Sequence, residues 1–198
     1  METIRGKKSL ELDLAGFKKQ LSDYDRVLLD LGTGDGRYAR TFAQARPDWF
    51  IIGVDACREN LLDHSQAKLR NLLFVIASAQ ALPRELDDCA SQLTINFPWG
   101  SLLESLLAGD HRLMRGLESI SRGNGSLELR LNGGALAEAG TVLDAGTEKI
   151  HDNLRGAGWQ TGVPVVMDAQ LLRRFPSTWA KRLAFGRDPR AIMLSAHK

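Results

Sequence analysis

Residues 26–36 read RVLLDLGTGDG, an apolar run that ends in a loop holding Gly32, Gly34 and Gly36. An apolar stretch of this length without alternation suits a strand covered on both faces, as in a parallel sheet. Glycines directly after it let the backbone turn tightly and let a ligand approach it. The next residues, about 37–45 (RYARTFAQA), carry a helical pattern that Pro47 ends. Residues 49–54 (WFIIGV) then form a second buried strand, closing on Asp55. Strand, glycine loop, helix and strand make one βαβ unit.

The alternation continues along the chain. A helix is expected over roughly 57–69, a third strand at 72–76 (LLFVI) and a fourth at 91–97 (SQLTINF), ending at PWG. Helical patterns fill about 101–121, a fifth strand follows at 126–131, and a helix at 143–157. Two late strands are expected near 161–167 and 191–196. Before all of these, Ile4 and residues 10–12 flank RGKKS as a small hairpin within 1–12, and Asp13 is placed to cap a short helix, LAGFKKQL. The pattern implies one doubly wound α/β domain over residues 1–198, with a mostly parallel sheet and ligands at the carboxyl ends of its strands.

Of the 198 residues, 43% are hydrophobic and 25% charged, as in ordinary globular proteins. No apolar run approaches the ~20 residues of a membrane span. The opening METIRGKKSLELD has no apolar secretory core, so a cytoplasmic protein is expected. Cys57 and Cys89 make no metal-ligand pair and are expected to be small buried apolar residues. The net charge is only +2, yet cations gather after residue 171: Arg173, Arg174, Lys181, Arg182, Arg187, Arg190 and Lys198. A patch of this kind suggests a polyanionic partner.

Two carboxylates narrow the ligand. Asp30 lies inside the first strand, just before the glycine loop, where a dinucleotide site needs none. Asp55 ends the next strand, where an acid hydrogen-bonds a ribose hydroxyl. An ammonium for Asp30 and a ribose for Asp55 describe S-adenosylmethionine better than NAD. Gly32, Thr33, Gly34 and Ala56 would line the same site. Ser78, Ala79 and Gln80, after the third strand, are candidates for reading the adenine through a backbone N–H. An ordinary strand-to-helix turn is the alternative there.

The fourth strand ends in Asn96-Phe97-Pro98-Trp99, and Trp99 between a proline and a glycine is poorly placed for burial. Residues 177–187, STWAKRLAFGR, put Trp179 among Lys181, Arg182 and Arg187. A base in folded RNA must be extruded and gripped before it is alkylated. Stacking contributes about 1–3 kcal/mol per base. Trp99 and Trp179 would make the clamp, and the cations would hold the surrounding phosphates. Packing of Trp179, Leu183 and Phe185 on the core is the plainer alternative. Trp49 and Trp159 read as packing residues.

LDLGTGDGR, NFPWGSLLESLL and STWAKRLAFGR together resemble the 16S rRNA adenine-N1 methyltransferases of aminoglycoside resistance. The resemblance runs over nearly the whole chain. It implies a class I S-adenosylmethionine-dependent methyltransferase, a Rossmann-like fold with a seven-stranded sheet, acting on adenine 1408 of the assembled 30S subunit. It further implies that Asp30 and Asp55 hold the cofactor, Trp99 and Trp179 the flipped adenine, Ser101 a place near the cofactor and Ser177 one near the target base. Lys68, Arg70, Lys181, Arg182, Arg187 and Arg190 would face rRNA. A monomer without a metal ion is expected. The segments after Asp55 and after the fifth strand are shorter and less cationic than in the best-known members. A tRNA guanine-N7 methyltransferase and a non-catalytic binder of cofactor and ribosome are the alternatives.

Overall fold

The computed structural model describes residues 1–184 and 190–198, save the side chains of Trp179, Leu183 and Ala184. Five parallel strands form its centre: β3 (Arg26–Leu31), β4 (Trp49–Asp55), β5 (Leu72–Ile76), β6 (Ala90–Asn96) and β7 (Ser121–Asn132). Their apolar runs are covered on both faces, and Val27, Leu28, Leu29, Phe50, Ile51 and Ile52 are fully buried. Burial of this kind is what an unbroken apolar run is suited to.

The expected hairpin is present as β1 (Glu2–Arg5) and β2 (Lys8–Glu11), and β1 adds antiparallel to β5. At the other edge, β10 (Ala191–His197) pairs antiparallel with β7. The strand expected at 161–167 is two short ones, β8 (Gln160–Thr161) and β9 (Val165–Met167), both paired to β10. Pro164 between them has no N–H for a ladder, so the strand is interrupted there. Among the described residues, one sheet of ten strands results, in order β2-β1-β5-β4-β3-β6-β7-β10-β8, with β9 beside β10. The expected seven strands are thus extended by the hairpin and the split edge.

The helices follow local chemistry. Asp13 caps α1 (Leu14–Leu21) by accepting from the Gly16 N–H at 2.7 Å. The first βαβ helix is α2 (Arg37–Ala45). The helix expected over 57–69 is only α3 (Arg58–Leu61) and a 3-10 turn at His64–Gln66. Ser65 is the reason: its hydroxyl donates to the Gly6 carbonyl at 3.2 Å, and its own carbonyl accepts from the Gly6 N–H. Docking on the hairpin turn overrides helix propensity. Helical residues 101–121 divide into α4 (Gly100–Ala108) and α5 (His111–Ile120), broken at Gly109 and restarted by the Asp110 cap. Then come α6 (Gly133–Glu138), α7 (Leu143–Gly156), α8 (Ala169–Arg174) and α9 (Thr178–Ala184). Trp49 and Trp159 are buried, and so is Cys89, whose thiol burial pushes up to about 12. Cys57 is exposed, contrary to expectation, because it sits at the solvent-facing N-terminus of α3. Among the described residues, no helix is long and apolar enough to cross a membrane.

Candidate active site

A cavity of about 520 Å³ lies at the carboxyl ends of β3, β4, β5 and β6. Its size suits a small organic ligand. Every residue expected to touch the cofactor lines it: Asp30, Gly32, Thr33, Gly34, Asp55, Ala56, Ser78, Ala79, Gln80 and Ser101. Trp99, Ser177 and Arg182 line it as well.

Asp30 is 1% exposed, and its direct partners are neutral donors. Thr94 Oγ1 and Asn96 Nδ2 each donate to Oδ1 at 2.8 Å, and Thr33 Oγ1 donates to Oδ2. Burial pushes its carboxyl up to about 6, while these hydrogen bonds and the Arg130 charge pull the other way. A desolvated carboxylate held by neutral groups favours a cation at its open side. Among the described residues, the charged groups that line the cavity agree: Asp30, Asp35 and Asp55 against Arg182. This surplus of acid fits the ammonium and sulfonium of S-adenosylmethionine and opposes a pyrophosphate.

Asp55 organises the loops. Its Oδ2 accepts from the Gly34 N–H at 2.8 Å, and its Oδ1 from Cys57 N at 2.9 Å and Asn60 Nδ2 at 3.2 Å. The glycines differ in purpose. Gly34 has φ +58, and a Cβ there would meet nothing within 4 Å, so this backbone is open to a ligand. Gly36 has φ +74, and a Cβ there would strike the Phe74 ring at 2.6 Å, so it serves packing. Gln80 donates its amide to Ser105 Oγ on α4 at 2.8 Å and its backbone N–H to Ser78 Oγ at 3.3 Å, so this turn is held in place beside the cavity.

The chemical end is shaped by Phe97, whose φ of +53 breaks the strand direction. Such a conformation is costly for a bulky residue and persists only where packing enforces it. Phe97 is anchored by an edge-on contact with Phe175 at 5.7 Å. Trp99 emerges two residues later, 43% exposed on the cavity rim. Phe175 also stacks on Tyr38, with centroids 5.1 Å apart and planes 9° from parallel. The C-terminal helices α8 and α9 dock through this aromatic group, and Thr178 Oγ1 donates to Asp35 Oδ2 at 2.7 Å. Arg173, Arg174, Lys181 and Arg182 are exposed on these two helices.

Among the described residues, Lys68, Arg70, Lys181 and Arg190 do not line the cavity. Arg187 lies outside the described residues, as does the side chain of Trp179. Lys68 and Arg70 are exposed beside the amino end of β5, away from the strand ends that hold the site. Arg190 is exposed just before β10, with its carbonyl accepting from Gly133 N. Sequence reasoning missed Tyr38, Thr94, Arg130 and the Thr178–Asp35 pair, and did not give Asn96 a cofactor-side role. The available signal was Arg130 itself, a cation in the alternating strand SLELRLN.

A family profile described as "NpmA: 16S rRNA (adenine(1408)-N(1))-methyltransferase" matches residues 2–198. A 16S rRNA (adenine(1408)-N(1))-methyltransferase of Escherichia coli is 30% identical over 215 residues, covering 100% of this chain and 98% of that protein. The crystal structure of the 16S rRNA methyltransferase KamB superimposes with a TM-score of 0.89 at 28% identity, covering 100% of this chain and 99% of that one. A mutant 16S rRNA (adenine(1408)-N(1))-methyltransferase from Catenulisporales acidiphilia, solved with cosubstrate SAM, gives 0.87 at 25% identity over 100% of this chain and 96% of that one. With a buried cation-seeking carboxylate, an acidic cavity and an exposed tryptophan at its rim, the chain belongs to the 16S rRNA (adenine(1408)-N(1))-methyltransferase family.

Proposed function

We propose that this protein methylates N1 of adenine 1408 in 16S rRNA of the assembled 30S subunit, with S-adenosylmethionine as donor, and so gives aminoglycoside resistance. The observation that carries this reading is the cavity itself. It has buried Asp30 at its base, and Trp99 and the Ser177–Arg182 segment at its mouth. When bound, the cofactor supplies an electrophilic methyl group, which the free N1 lone pair of adenine attacks in line.

No proton has to leave N1 first, so no side chain is needed as a general base. The protein positions the partners and excludes water, effects together worth up to about 7–11 kcal/mol in favourable cases. Asp30 holds the ammonium, Asp55 the ribose, and the backbone of Ser78, Ala79 and Gln80 the adenine, while Ser101 lies beside the cofactor. Trp99 and Trp179 clamp the target base, Ser177 adjoins it, and the aromatic faces favour the positive charge that develops on the ring. The Asn96 amide is held by Asp30 and Arg130, which fixes its orientation at the cavity wall. Lys181, Arg182, Arg187 and Arg190 hold rRNA phosphates, and Lys68 and Arg70 reach the ribosome from another edge. The protein works as a single-domain cytoplasmic monomer without a metal ion.

The test is methyl transfer from labelled S-adenosylmethionine to purified 30S subunits, with primer extension to locate the block. A stop at adenine 1408 is expected. Incorporation at another nucleotide overturns the target, and cofactor binding without incorporation overturns the catalytic reading.

A further inference from the structure

Behind Asp30 lies a buried chain of polar groups that the methyl-transfer reading does not use. Asn96 and Arg130 are paired neighbours on the parallel strands β6 and β7. Arg130 Nη1 donates to Asn96 Oδ1 at 2.8 Å, and Asn96 Nδ2 donates to Asp30 Oδ1 at 2.8 Å. The two ends of the amide are assigned by chemistry. Only its oxygen can accept from a guanidinium, and only its nitrogen can donate to a carboxylate. Arg130 is 8% exposed, donates also to Glu128 Oε2, and lies 4.6 Å over the Phe175 ring. A buried guanidinium is costly to desolvate, and it stays always protonated. Here it stands one amide away from the cofactor carboxylate.

We propose that Arg130, acting through Asn96, is a positioning residue that keeps Asp30 charged and aimed at the donor's ammonium. The proposal rests on the reading of Asp30 as the ammonium site. Other charged or titratable groups face Asp30. Glu128 partly offsets Arg130 from β7, and Tyr38 lies on α2. Asp35, Asp55 and Arg182 line the same cavity. Asp30 titrates at about 6 with Arg130 in place, close enough to neutrality for the relay to matter. Without Arg130, burial acts with less opposition, and the neutral acid persists to higher pH. A neutral acid holds an ammonium poorly, so cofactor affinity then falls near neutral pH.

The experiment follows the aspartate carboxyl carbons by NMR in the ligand-free protein, with calorimetric titration of S-adenosylmethionine across pH. Wild type and Arg130→Lys are expected to titrate Asp30 near 6. Arg130→Met is expected to titrate it higher, by up to about one unit, with Kd weakened up to about fivefold at about pH 6, about twofold at about pH 7, and recovering as pH rises further. Loss of a structural contact alone would weaken binding equally at every pH. Arg130→Gln, which also lacks the charge, keeps the test open should Arg130→Met fail to fold. An unmoved Asp30 midpoint in the folded variants overturns the relay. An unchanged Kd in Asp30→Asn overturns the cofactor reading on which it rests, and with it the proposal, even where the midpoint moves.

Discussion

Thr178 and Asp35 stand 143 residues apart and share a hydrogen bond of 2.7 Å. The first opens the helix that carries Trp179, and the second belongs to the glycine loop of the cofactor cavity. One contact therefore ties the segment proposed to grip the target base to the segment proposed to hold the donor. Both groups are half-buried, so the bond contributes about 1 kcal/mol. Thr178→Val is expected to lower kcat/KM for 30S methylation about fivefold. Its cofactor Kd should change less than about twofold. Steady-state methylation and calorimetry separate the two, and a loss confined to cofactor affinity would contradict the coupling.

Trp99 stands at the cavity rim with 43% of its surface exposed. Trp99→Ala should lose the stacking contribution of about 1–3 kcal/mol, a fall of roughly 5- to 150-fold in 30S methylation. Thermal unfolding should shift by only a few degrees. Trp179→Ala is expected to remove most methylation and leave cofactor binding nearly unchanged. Full activity in either variant would end the clamp.

Burial of Asp30 makes stability depend on pH in a definite direction. Its carboxyl titrates at about 6 in the fold, against an ordinary 3.8. Over that window the folded chain keeps a proton that the unfolded chain has released. The stability associated with the group is therefore fullest below about pH 4, falls as pH rises to about 6, and is level above. The span is about 3 kcal/mol. Relative to Asp30→Asn, ligand-free wild type should lose about that much across this window in urea unfolding. A difference flat with pH would contradict the assignment.

Asn71 is a purely architectural counterpart. Its buried side-chain nitrogen donates to the carbonyls of Ala43, Arg46 and Trp49 at 2.9, 3.2 and 3.0 Å, closing the turn between α2 and β4. Asn71→Ala leaves those carbonyls short of donors, at a cost of about 2–3 kcal/mol. The Tm should drop by about 5–10 °C. Cofactor affinity at low temperature should be unchanged, which calorimetry on the folded variant checks.

Much of this molecule is written locally. The unbroken apolar runs at 26–31 and 49–54 announced buried parallel strands, and RVLLDLGTGDG placed a ligand site at their carboxyl ends. Asp13 announced a helix cap, and Trp99, between proline and glycine, announced its own exposure. These are short-range properties: turn chemistry, capping, and the periodicity of burial. Other features needed the chain to close on itself. The helix after Asp55 is cut short because Ser65 meets Gly6, 59 residues away. Asn96 meets Arg130 because β6 and β7 align in one register, and nothing in either segment alone selects that register. The same holds for Thr178 and Asp35, and for Phe175 between Tyr38 and Phe97. The sequence by itself determined the layers and the two acids that stand at the strand ends. Only the tertiary structure decided which polar groups stand behind those acids, because hydrogen-bond partners distant in sequence are chosen by strand order and register.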